Sequence, residues 1–126
     1  MRQTIVTVLL VFGLCVSNAS HAFWGWMRGA VVNQFEESDW DIVKATARTT
    51  LNSAADGEQV NWRNDETGTK GAMKVIMSFQ YEGQACRRTA FLNISSGGDR
   101  GVANYNLCRQ DDGTWGFVAD SQITGN

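Results

Sequence analysis

Two cysteine-arginine pairs, Cys86-Arg87 and Cys108-Arg109, carry the most chemically capable side chains of this sequence. In an oxidising compartment two thiols close a disulfide, and two planar guanidinium groups can grip a phosphate or a carboxylate. Trp62 and Trp115 offer aromatic faces on which a guanidinium stacks. Cys86 and Cys108 therefore read as a structural bridge, and Arg87, Arg109, Trp62 and Trp115 as candidate contacts for an anion or a partner. Two uses of the arginines stay open. Pairing with Glu82, Asp111 or Asp112 makes them a surface network, whereas a lipid phosphate or cell-wall carboxylate between them makes a binding site. The network carries more weight, because structural ion pairs are common.

Other groupings have plainer explanations. Asp111-Asp112-Gly113 is a turn signal whose adjacent carboxylates point apart. Glu36, Glu37, Asp39 and Asp41 crowd the start of a helical pattern, where they oppose the positive helix end, so no metal site is expected there. Asn93-Ile94-Ser95 fits the glycosylation pattern, which has no bearing in a bacterial host. The sequence offers no phosphate loop, zinc-ligand spacing or nucleophile elbow. No cofactor is expected.

The compartment follows from the N-terminus. Met1-Arg2-Gln3 precedes an apolar run of about 13 residues, shorter than the ~20 that a spanning helix needs. Ser20 and Ala22 then supply small side chains at positions −3 and −1 of a cleavage site, so residues 1–22 read as a secretory signal peptide. A lipoprotein route ending at Cys15 fits less well, since Leu14 stands where a small residue is wanted. Cleavage after Ala22 removes His21, the single histidine, and Cys15. The remaining chain then has no imidazole for a nucleophile-base pair or a metal, and two cysteines to pair with one another. Phe23, Trp24 and Trp26 follow as an arm, residues 23–37, that either contacts a membrane interface or covers an edge of the core. Gly25 and Gly29 weaken any interfacial helix, which favours the second.

The elements that position the cysteine-arginine pairs follow from periodicity. Ser38 with Asp41 reads as a helix start, and Trp40, Val43, Ala47, Leu51 and Ala54 recur at helical spacing until Asp56-Gly57. Beyond residue 58 the period becomes two. Turn signals divide that stretch into strands near 58–64, 69–81, 84–94, 100–110 and 114–119. In the second, Met73, Val75, Met77, Phe79 and Tyr81 share one face. The fold class is α+β, an amphipathic helix on a roughly five-stranded antiparallel meander, forming a single domain over residues 38–126.

The cysteines constrain this layout. Directly opposite residues of an antiparallel hairpin have a constant sum, and a Cys86–Cys108 pair centres the hairpin on Gly97, inside a predicted turn. The same register sets Ala90 against Asn104 and Leu92 against Val102. Each arginine follows a cysteine, so both point to the face opposite the disulfide. Closing this loop stabilises the fold by about 3.4 kcal/mol in the chain-entropy model.

The stretch Trp62-Arg63-Asn64 with Thr67-Gly68, then Gly83 with Cys86-Arg87, then Cys108-Arg109-Gln110 with Asp112-Gly113 and Trp115, resembles the surface-antigen domain of the 17 kDa surface antigen family of Gram-negative envelopes. The resemblance covers residues 51–118. It implies an envelope protein without an established enzymatic activity. Two departures stand out, the poor lipobox and the missing glycine-rich membrane-associating segment.

A net charge of −2 argues against a nucleic-acid partner, which calls for a basic face. The expected function is that of a non-enzymatic envelope protein, periplasmic or on the outer-membrane surface. Its disulfide-stabilised domain is structural or binds an envelope component, whether protein, lipid or peptidoglycan. The alternative is a secreted or periplasmic enzyme inhibitor presenting the loop 95–100.

Overall fold

The computed structural model describes residues 26–124. The expected signal peptide and cleavage site, with Cys15, Phe23 and Trp24, lie outside the described residues. Helix α1 spans Glu37–Ser53. Five strands follow, β1 (Gln59–Arg63), β2 (Lys70–Tyr81), β3 (Gln84–Ile94), β4 (Arg100–Arg109) and β5 (Trp115–Val118), and then a short helix α2 (Asp120–Ile123). The strands form one antiparallel sheet in chain order, the expected meander. Among the described residues no helix is long and apolar enough to cross a membrane.

α1 lies on one face of the sheet because its apolar stripe and the sheet's inward residues share one core. Val43, Ala47 and Leu51 meet Trp62, Met73, Phe91, Leu107 and Trp115 there, all of them buried. The helix starts earlier than Ser38. Its cap is Glu36, whose backbone N–H donates to Asp39 Oδ2 at 2.9 Å, while the Ser38 hydroxyl accepts from Asn64 instead. At the other end Gly57, with a φ of 86°, makes the turn into β1.

Trp26 follows the core-covering reading of the arm. Its ring packs edge-on to Tyr105 and Phe91 and stacks with Phe117, the last at 5.9 Å and 12° between planes. Met27, Val31 and Val32 are buried behind it.

The face alternation along β2 departs from simple period two. A β-bulge between Val75 and Met77 sets two residues of β2 against one step of β3. Val75 is fully buried, whereas Met77 is 48% exposed, so Met77, Phe79 and Tyr81 turn to the outer face and Ser78 turns to the helix side. Period-two reading cannot see this, because an inserted residue leaves the local composition of a strand unchanged.

The β3–β4 hairpin has the expected register. Cys86 stands opposite Cys108, Ala90 opposite Asn104 and Leu92 opposite Val102. Cys86 and Cys108 are disulfide-bonded with Cα atoms 4.0 Å apart, and both are buried.

Candidate functional site

Alternation and register put Arg87 and Arg109 on the helix side of the sheet, opposite the disulfide. Their environments differ. Arg87 stands across from the buried Leu107, and its guanidinium reaches the last turn of α1. Nη1 donates to the carbonyls of Leu51 at 2.9 Å and Thr50 at 3.3 Å, and Nη2 donates to the carbonyl of Ala54. Nε donates to the Ser78 hydroxyl, and Nη2 also pairs with Asp56 at 3.2 Å. The side chain is only 12% exposed. A helix end leaves carbonyls without intrahelical partners and carries partial negative charge, so a cation there satisfies both. The carboxylate partner is thus Asp56, not Glu82, Asp111 or Asp112. The Ser78 hydroxyl and then the Arg87 guanidinium hold the Asp56 carboxyl below the usual carboxylate range.

Arg109 is exposed, paired across the sheet with Trp115, and forms none of the three ion pairs found among the described residues. Trp115 is buried, and its Nε1 donates to Asn52 Oδ1 at 2.9 Å, a second tie to the end of α1. Arg87 and Trp115 both line a hollow of about 290 Å³ near the disulfide. Trp62 lies at the opposite end of the sheet, in β1. It covers Gly71, where a Cβ would stand 2.6 Å from Trp62 Nε1. Arg87, Arg109 and Trp115 therefore share one end of the sheet, without Trp62.

A polar cluster that the composition did not single out fastens the start of α1. Asp39 is 1% exposed. Its Oδ1 accepts from Asn64 Nδ2 at 2.8 Å and from the Thr67 hydroxyl at 2.6 Å, while Oδ2 takes the Glu36 N–H. Asn64 and Thr67 belong to the β1–β2 turn. Their signal lay in the Trp62-Arg63-Asn64 and Thr67-Gly68 motif, read there for resemblance and not for contact. A third link joins the outer face to α2. Asp120 accepts from Asn106 at 2.6 Å and pairs with Arg88 at 2.9 Å. The Asn106 amide and, after it, Arg88 lower the Asp120 pKa against the opposing cost of burial.

Chemically, these clusters join secondary elements. The Thr67 and Ser78 hydroxyls each donate to a carboxylate, Asp39 and Asp56, at 2.6 Å as part of these joints, and no group of three or more potential metal ligands occurs among the described residues.

No family model matches this chain, and no solved structure gives a significant match. Curated relatives do. The 17 kDa surface antigen of Rickettsia conorii is 32% identical over 84 residues, 66% of this chain and 52% of that protein. The Rickettsia prowazekii protein of the same name is 31% identical over the same shares. That of Rickettsia amblyommatis is 33% identical over 79 residues, 62% of this chain and 51% of the relative. The chain thus spans about half the length of the curated relatives it matches. Four residues of the motifs that carried the resemblance fasten α1 to the sheet, Asn64 and Thr67 at its start and Arg87 and Trp115 at its end, and over the matched residues this chain is a relative of the 17 kDa surface antigens.

Proposed function

We propose that this protein is a non-enzymatic component of the bacterial cell envelope, exported by residues 1–22 and cut after Ala22. Its domain acts by structure or by binding an envelope component, and residues 23–37 serve as an aromatic arm. The observation that carries this reading is the relationship to proteins named as surface antigens. The fold adds support, since the side chains richest in chemistry are committed to its own architecture. Arg87 is spent on the end of α1, Cys86 and Cys108 on one another, and Asp39 on the β1–β2 turn. Of the four candidate contact residues, Arg109 is the exposed one and the one left for an outside anion.

The test treats intact host cells with a membrane-impermeant amine reagent and determines the mass of the protein recovered from the envelope. Labelling on intact cells and a chain beginning at Phe23 are the expected results. A chain that keeps residues 1–22 and is labelled only after cell lysis would overturn the reading.

A further inference from the structure

α1 covers one face of the sheet, and α2 ties to the outer face near the disulfide through Arg88, Asn106 and Tyr81. The far half of the outer face, at the end of the β1–β2 and β3–β4 turns, has neither cover. The register arranges its residues in rows. Arg63, Lys70, Ile94 and Arg100 stand side by side across β1 to β4, and the next row is Asn61, Ala72, Leu92 and Val102. Lys74 lies in the row beyond, beside Ala90. No strand position in these rows is acidic.

We propose that this half of the outer face is a docking surface for an anionic lipid bilayer. The first argument is charge. A chain of net charge −2 has gathered four cations here, and Arg63 and Lys70 are direct cross-strand neighbours, a placement that costs stability unless anions intervene. Asp65 answers Arg63 at 2.7 Å, and Asp99 accepts from Gln34 of the arm. Lys70, Lys74 and Arg100 are exposed and form none of the ion pairs among the described residues. The second argument is spacing. Lys70 on β2 and Arg100 on β4 are two strand separations apart, about 10 Å, too far for one phosphate to bridge and suited to a lateral array of anions. The third is the apolar row between the cations. Val102 is 69% exposed and flanks the half-buried Leu92. A soluble polyanion leaves that row in water, whereas a bilayer interface covers it while lysine stems lie along it and place their ammonium groups among the headgroups.

This inference rests on the envelope reading, yet the two fail separately. Surface labelling decides the compartment, and vesicle binding by the purified exported protein decides the face. The probes are vesicles of phosphatidylcholine alone and of phosphatidylcholine mixed with phosphatidylglycerol, at low salt. Binding is expected only to the mixed vesicles and is expected to fall as salt screens the charges. The triple variant K70Q/K74Q/R100Q should bind roughly a hundredfold more weakly, about fivefold per basic residue, at an unchanged melting temperature. Val102→Ser should weaken binding by about fivefold through lost apolar cover. The control R28Q/K44Q/R48Q removes the same charge from the arm and helix and should bind as the parent does. Equal losses in the control and the triple variant would overturn the assignment of the face. Soluble polyglutamate binding as tightly as the mixed vesicles, with Val102→Ser silent, would replace the bilayer by an acidic polymer. Unchanged vesicle binding by the triple variant would overturn the proposal outright.

Discussion

At the N-terminal end of α1 the helix supplies the acceptor, Asp39, and the β1–β2 turn supplies the donors. At the C-terminal end the sheet supplies the donor, Arg87, and the helix carbonyls accept. Each arrangement matches the sign of the helix end it serves, so the helix is held at both tips as well as along its apolar stripe. Their exposure differs. Asp39 is sealed behind uncharged donors, while the Arg87 network opens to water through Asp56, whose side chain is 51% exposed. The first end should therefore be the costlier to cut and the second the more responsive to conditions.

Asp39→Ala should have the largest effect. It leaves the Asn64 amide, the Thr67 hydroxyl and the Glu36 N–H without their acceptor, three donors in or beside the interior, at a cost of about 3–5 kcal/mol. Thermal unfolding followed by circular dichroism should show a fall in melting temperature on the order of 15–20 °C. Asp39→Asn keeps one acceptor oxygen and should fall between this variant and the parent. Equal stability of parent and alanine variant would show that the apolar stripe alone positions the helix.

Removing the bridge with C86S/C108S comes next, at about 3 kcal/mol. The bridge locks β3 to β4 in the register beside Arg87 and Leu107, so it bears on one end of the helix more than on the other. Amide exchange should speed up at residues 50–54 more than at 37–40. A uniform increase would mean that the disulfide acts on the unfolded chain alone.

The fold class, strand order, hairpin register and disulfide were legible because they rest on local signals, namely turn residues, periodicity and one arithmetic constraint. What the sequence hid was non-local. Arg87 finds its acceptors 33 to 37 residues earlier in the chain, and Asn64 finds Asp39 at a separation of 25. No periodicity marks such contacts. The bulge at Val75–Met77 was hidden for another reason. Met77 suits a core face by type, and only its pairing with Arg88 shows that it points outward. The candidate site was half legible, since alternation placed both arginines on one face but could not say that α1 would consume one of them.

That split gives the third test. Arg87→Gln should cost about 2 kcal/mol through uncapped carbonyls at the helix end, whereas Arg109→Gln should stay within roughly 0.5 kcal/mol of the parent. Arg87→Lys should restore little, because a single ammonium cannot span the carbonyls that the planar fork reaches. Comparable losses in the two glutamine variants would show that Arg109 also holds the sheet together.

The smallest effect is that of acid on the C-terminal end. The Asp56 pKa is lowered in the folded protein by the Ser78 hydroxyl and Arg87, while in the unfolded chain it returns to the ordinary carboxylate value. Between those two values the unfolded state binds more protons than the folded one, so stability falls as pH falls. The contribution is fully present above the ordinary carboxylate range and is lost as pH drops through the folded value. Asp56→Asn should therefore flatten the acid limb of the melting curve while changing little at neutral pH, where the exposed pair is weak. Asp120 and Asp112 also titrate low in the fold, Asp120 mainly through Asn106 and Asp112 through Thr114, so part of the limb should survive. The measurement that isolates the helix end is the protection of the amides of residues 54–57 from exchange, taken relative to the intrinsic exchange rate at each pH. Acid should reduce that protection in the parent more than in Asp56→Asn. An identical loss of protection in both would place the acid-sensitive contact elsewhere, with the Asp120–Arg88 pair that holds α2 as the next to test.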